Sequence, residues 1–263
     1  MLFKQGRGCA VAVILLLAVS ACSDASRRAD REGGEEAGEE RAPRQKEETV
    51  AQETEMWQRR RTTMVDTLRQ RGAECENVLD AMRAVRRHRF IPEAYRGPFA
   101  YEDRPLPIGH DQTISQPYVV AYMTEAMQVR PGEKVLEIGA GSGYQAAVLA
   151  EMGAEVYTIE IIPELGRHAK AALAAEGYGD VKVRIGDGYQ GWPEHAPFDV
   201  VIVTAAPEAV PEALVEQLRD GGRMIVPVGT HQQRLVILRK ENGEVHQAAD
   251  MPVRFVPMVK GTE

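Results

Sequence analysis

Cysteine is nearly absent from this chain of 263 residues. Of three cysteines, Cys9 and Cys22 sit at the N-terminus and Cys75 stands alone in the body, so no disulfide framework can form there. A basic surplus is also lacking: 32 Lys and Arg stand against 39 Asp and Glu, a formal net charge of -7. Phosphate backbones are neutralised by cations, so nucleic acid is not expected as a partner. The longest apolar run, Cys9 to Val19, is about half of the roughly 20 residues that a bilayer span needs, which argues against a transmembrane helix. The six histidines are scattered, and no His/Cys/Asp grouping has metal-ligand spacing. No metal is expected.

What is present begins with an export-signal layout: Lys4 and Arg7, the apolar run, then Ser20, Ala21 and Cys22. Val19-Ser20-Ala21-Cys22 resembles the lipobox of bacterial lipoproteins, in which cleavage leaves a lipid-bearing cysteine, here Cys22. Residues 1–22 are therefore read as a signal peptide ending at a lipidation site, the bland alternative being a misplaced start codon. Residues 23–56 are Glu, Arg, Ala and Gly with few large apolar side chains, too few to offset the entropy of ordering. They read as a disordered tether with a reach on the order of 30 Å, or alternatively as a solvated helix.

The globular part is placed at residues 57–263, divided into 57–132, 133–230 and 231–263. Met64, Val65 and Leu68 share one helical face, and Val78, Leu79, Met82 and Val85 another, predicting two short amphipathic helices. Prolines and glycines between Phe90 and Gly109 predict an irregular layer of the kind that covers a pocket. Lys134–Ile138, Glu155–Glu160, Val181–Ile185 and Phe198–Thr204 read as strands separated by helical stretches, hence a mostly parallel α/β sheet. Arg223–Val228, Arg234–Arg239 and Val253–Met258 lack long helices between them and predict an antiparallel end to that sheet.

Val135-Leu136-Glu137-Ile138 runs straight into Gly139-Ala140-Gly141-Ser142-Gly143, followed by a helical segment from Tyr144 to Met152. Glycines remove the Cβ atoms that block close approach of a ligand, and the helix N-terminus offers unpaired N–H donors. Glu160 closes the next strand, where a carboxylate can accept both ribose hydroxyls; Asp187, inside Gly186-Asp187-Gly188, closes the third, where one could receive an adenine amino group. Either acid could instead be a helix cap. Glu137, two residues before Gly139, is an arrangement common in methyltransferases. A dinucleotide fingerprint wants glycine at its sixth position, which is Tyr144 here, so a nicotinamide cofactor is disfavoured. After the fourth strand stands Thr204-Ala205-Ala206-Pro207 rather than the Asn/Asp-Pro-Pro-aromatic element of amine methylation, and no nearby cysteine offers a nucleophile for pyrimidine methylation.

Asp111-Gln112-Thr113-Ile114-Ser115-Gln116-Pro117, VLEIGAGSGYQ from Val135, GDGYQGW from Gly186, FDVVIVTAAP from Phe198 and VRFVPM from Val253 together resemble the protein-L-isoaspartate O-methyltransferase family, from about Met64 to Gly261. That resemblance implies a Rossmann-like fold using S-adenosyl-L-methionine, held by Glu137, Gly139, Gly141, Gly143, Glu160, Asp187 and Gly188. It places Thr113, Ile114 and Ser115 at the substrate, with isoaspartyl-containing proteins and peptides as partners. An isoaspartyl α-carboxylate is already ionised at neutral pH, so methylating it needs no general base. Ser115 would orient it through a hydrogen bond or, alternatively, cap the helix starting near Pro117. Arg254 is a further candidate for pairing with the substrate, the alternative being an ordinary surface arginine.

Three residues depart from the family pattern: Asp111 where glycine is usual, Ala140 for threonine and Arg86 for proline. Asp111 bears on the substrate, because a second carboxylate near a carboxylate site opposes binding unless it points outward. The rival functions are a small-molecule carboxyl methyltransferase and a non-catalytic, lipid-tethered cofactor-binding module. The expected setting is a monomeric catalytic domain anchored to the envelope by lipid only; the family resemblance alone implies the cytoplasm.

Overall fold

The computed structural model describes residues 41–261, so the signal peptide, Cys22 and the tether up to residue 40 lie outside the described residues. Helix α1 (Arg41–Gln70) occupies the rest of the segment read as a disordered tether. The Glu, Arg, Ala and Gln of that stretch are strong helix formers, and the alternative of a helix is the one realised there. Met64, Val65 and Leu68 bury the far end of α1 in the same core as Val78, Leu79 and Met82 of α2 (Glu76–Ala84).

The Pro- and Gly-rich passage that follows is more ordered than the composition implies. Short 3-10 turns at Arg87–Phe90 and Glu93–Tyr95 lead to a hairpin of β1 (Leu106–Gly109) and β2 (Gln112–Ile114). Its two-residue loop is His110-Asp111, with φ of 53° and 55°, as in a type I′ turn. Aspartate tolerates the left-handed region better than most residues, so Asp111 substitutes for glycine with little strain.

After α3 (Pro117–Met127) come β3 (Lys134–Ile138), α4 (Tyr144–Glu151), β4 (Glu155–Glu160), α5 (Pro163–Ala175), β5 (Lys182–Ile185) and β6 (Phe198–Val203). The short α6 (Glu212–Glu216) and strands β7 (Leu218–Val228), β8 (Gln233–Glu241) and β9 (Glu244–Val253) complete the chain. The seven-stranded sheet has the order β5-β4-β3-β6-β7-β8-β9. Pairing is parallel from β5 to β7 and antiparallel at β7–β8 and β8–β9, as the loss of intervening helices implies. Side chains alternate between two cores on opposite sides of the sheet: Val135, Val200 and Ile202 on one, Leu136, Val201 and Val203 on the other.

One strand expectation is corrected. The last strand is Glu244–Val253, not Val253–Met258. Asn242 and Gly243, both at positive φ, turn the chain back from β8, and the polar strand that follows pairs along β8 to Val253. The remainder leaves the sheet as a tail that runs beside Ala206, just beyond β6, through the Ala206–Pro257 bridge and the flanking Ala206 N–H to Val256 O and Met258 N–H to Ala206 O bonds, each 2.8 Å.

Candidate active site

Strand order reverses at β3: β4 lies on one side and β6 on the other, which opens a crevice at the strands' C-terminal ends. A cleft of about 880 Å³, measured out to its mouth, sits there. Its floor is the β3–α4 glycine loop, one wall is the end of β4, and its other walls are β2 and the C-terminal tail. Glu137, Gly139, Gly141, Glu160, Gly188, Thr113, Ile114 and Ser115 all line it, although they come from four separate stretches of sequence.

The glycine loop is held by its neighbours. Gly139 has φ 96°, and a Cβ there would stand 2.5 Å from the Thr204 hydroxyl, which itself donates to the carbonyls of Ile138 and Gly139. The end of β6 is thus stitched under the loop. Gly141 N–H donates to Glu160 Oε2 at 2.7 Å and Ile162 N–H to Glu160 Oε1 at 3.0 Å. These bonds fix a nearly buried carboxylate facing the cleft, with a second acceptor position left on each oxygen.

Glu137 is the least expected group electrostatically. It is fully buried in a central strand, and neither oxygen has a hydrogen-bond partner among the described residues. Burial pushes its carboxyl up to about 8; the nearby Glu160 charge adds to the rise, while the Thr158 hydroxyl opposes it. An unpaired buried carboxylate on a cleft wall is suited to a ligand that brings a cation or several N–H donors.

Not every residue singled out from sequence reaches the cleft. Gly143 caps α4 from the left-handed region and packs against Ala169 and Leu173 of α5, so its role is to start the helix. Asp187 accepts from Tyr189 N–H at 2.8 Å, the capping alternative, and lies against Gly261 of the tail; its neighbour Gly188 is the residue that lines the cleft. Arg254 is exposed on the tail and lines no part of the cleft, in keeping with a surface arginine. Asp111 is also exposed and outside the lining.

Ser115 is half-buried at the cleft. The N-cap of α3 is Gln116, which makes no side-chain cap bond, so the Ser115 hydroxyl is not the cap of that helix. Other lining residues escaped the sequence reading: Gln112, Tyr144 and Gln145, together with Val256 to Val259 of the tail. The signal for the tail residues is the VRFVPM segment, whose alternation predicts a strand but which forms a wall of the cleft. Arg86, one of the departures, pairs with Glu176 at 2.6 Å, and Ala140 is a buried part of the glycine loop.

Comparison with known proteins agrees with this geometry. The sequence profile described as protein-L-isoaspartate(D-aspartate) O-methyltransferase matches residues 59–263. A protein-L-isoaspartate O-methyltransferase of Gloeobacter violaceus is 60% identical over 200 residues, covering 75% of this chain and 97% of that protein. One from Opitutus terrae is 58% identical over 187 residues, covering 70% and 80%. A solved protein-L-isoaspartate O-methyltransferase superposes with a TM-score of 0.71 at 30% identity, covering 75% of this chain and 65% of its own length. A Plasmodium falciparum chain assigned to the same activity, in complex with S-adenosyl-L-homocysteine, superposes at 0.68 with 25% identity, covering 76% and 99%. The chain belongs to the protein-L-isoaspartate(D-aspartate) O-methyltransferase family.

Proposed function

We propose that this chain transfers a methyl group from S-adenosyl-L-methionine to the α-carboxylate of L-isoaspartyl residues in damaged proteins. The observation that carries the reading is the meeting of Ser115, on the β2–α3 connection, with the glycine loop and Glu160 across one cleft. The cofactor supplies an electrophilic methyl on a sulfonium and departs as a neutral thioether. Glu160 would hold its ribose hydroxyls, Glu137 its ammonium group, and the backbone of Gly139, Gly141 and Gly188 its close contacts. The residues present fit that group, since the cleft offers one carboxylate already fixed by backbone donors and another with no partner.

On the substrate side, Thr113 and Ile114 form a short strand edge, and the Ser115 hydroxyl donates to the incoming carboxylate. Its oxygen is a competent nucleophile at neutral pH, so the chain's task is alignment, and alignment can supply up to ~7–11 kcal/mol of a barrier. The resulting methyl ester is attacked by the following backbone nitrogen; methanol leaves, a succinimide forms, and its hydrolysis returns part of the chain to normal aspartyl linkage. Repair is checked by ageing a substrate protein, incubating it with enzyme and cofactor, and counting isoaspartyl sites over repeated cycles. Their number is expected to fall, and an unchanged number with methyl ester formed would refute repair.

The Glu137 carboxyl gives a pH signature. Its folded-state value of about 8 lies above the ordinary 4.5. The free enzyme therefore holds a proton that the unfolded chain gives up, a contribution to stability fully present below about 4.5 and lost as pH rises toward about 8. A cationic ligand needs the ionised form, so cofactor affinity is expected to strengthen roughly tenfold per pH unit up to about 8 and then level off. Calorimetry at several pH values checks this: Glu137→Gln is expected to flatten the profile, and an equally steep profile in that variant would exclude Glu137.

The catalytic domain is read as a monomer. Lys4 and Arg7, the apolar run and Val19-Ser20-Ala21-Cys22 support export, cleavage before Cys22 and lipidation there. Several acyl chains at about 0.8 kcal/mol per buried CH₂ give a stable anchor where a single chain does not. The domain would then work on envelope proteins that age without turnover. In fractionated cells the wild-type chain is expected with the membrane and Cys22→Ala released from it; wild-type chain found soluble with residues 1–21 attached would refute export.

A further inference from the structure

Arg87 is the largest fully buried residue among those described, although its chemistry favours the surface. It is 0% exposed, and burial pushes its guanidinium down to about 10, which leaves it charged at neutral pH. Among the described residues no carboxylate forms an ion pair with it. Instead Nε donates to Ala100 O at 3.0 Å and Nη2 donates to Ser115 O at 2.8 Å, while the guanidinium carbon sits 4.9 Å from the centre of the Tyr144 ring. Tyr144 is the first residue of α4 and lines the cleft. A buried cation held only by carbonyls and a ring is costly, and a methionine of similar length would fill the space without that cost.

We propose that Arg87 is a positioning residue for methyl transfer: it clamps the Ser115 main chain against the N-terminus of the cofactor helix, so that the Ser115 hydroxyl is held at the reacting carboxylate. The proposal rests on the reading of Ser115 given above. The planar guanidinium reaches two carbonyls at once with its carbon 4.9 Å from the centre of an aromatic ring, which a lysine ammonium cannot match. Gln116 and Tyr118, which follow, are pinned by Asp103. Its Oδ1 accepts from Tyr118 N–H at 2.8 Å, its Oδ2 from Gln116 Nε2 at 3.1 Å, and it pairs with Arg71. Arg87 holds Ser115 itself while Asp103 holds Gln116 and Tyr118 after it, and Arg87 is the one that also touches Tyr144 at the cofactor side.

The test is a double-mutant cycle. Arg87→Lys and, in case that variant folds poorly, Arg87→Gln are each made in the wild-type and in the Ser115→Ala background. Melting temperature, cofactor Kd, and kcat and KM for an isoaspartyl peptide are measured for all. With the fold intact and cofactor Kd within about twofold, kcat is expected to fall on the order of tenfold or more in the wild-type background. That loss should largely vanish where Ser115 is already alanine, because the two residues act as one device. Equal loss in both backgrounds would make Arg87 a structural residue and overturn the proposal, as would no loss at all. If Ser115→Ala is itself silent, the reading of Ser115 fails and the proposal with it; an effective Ser115→Ala with an additive Arg87 variant rejects the proposal alone.

Discussion

Replacing Glu160 by alanine is expected to weaken S-adenosylmethionine binding by on the order of 10²-fold or more. Two charge-assisted hydrogen bonds to the ribose would be lost, each worth about 1.5–3 kcal/mol. The structure adds a second contribution. Glu160 also accepts from the N–H groups of Gly141 and Ile162, so alanine leaves two donors of the binding loop without their partner. Glu160→Gln separates the two parts, since its amide oxygen can keep one backbone bond while its NH₂ cannot accept a hydroxyl proton. Its affinity should fall between those of the wild type and the alanine variant. Calorimetry reads all three, and an unchanged dissociation constant in a folded Glu160→Ala protein would remove Glu160 from the site.

Ser115→Ala is expected to act on the other substrate and on rate. If its hydroxyl tightens on the carboxylate as the methyl moves, kcat should fall on the order of 10²-fold while cofactor affinity stays nearly unchanged. The hydroxyl does not cap α3, whose N-cap is Gln116, so little stability should be lost with it. A melting temperature within a few degrees of wild type is the accompanying expectation. Activity within a factor of two of wild type would assign the positioning role elsewhere.

Where local sequence and tertiary packing agree, the site was legible. Val135 to Tyr144 reads as strand, glycine loop and helix because each feature is dictated by neighbours in the chain, and the acid Glu160 lies one βα unit further on. Two hairpins were missed although their turns carried signals. Asn242-Gly243 is a strong two-residue turn, but the exposed polar strand after it lacks the apolar alternation that marks a strand. His110-Asp111 is a weaker turn signal, and the prolines around it pointed to irregular backbone. Asp187 shows the opposite limit: strand-end position suggested a ligand, yet the side chain turns to accept from the Tyr189 N–H two residues on. Arg87 had no signal at all, since only the packed fold reveals that a charged residue in Arg86-Arg87-His88-Arg89 is buried among carbonyls.

The central claim is tested most directly by offering the protein radiolabelled S-adenosylmethionine and two peptides that differ only in an isoaspartyl or a normal aspartyl linkage at one position. Base-labile methyl ester is expected on the isoaspartyl peptide alone. Equal labelling of both peptides, or of neither by a folded protein that binds the cofactor, would contradict the account.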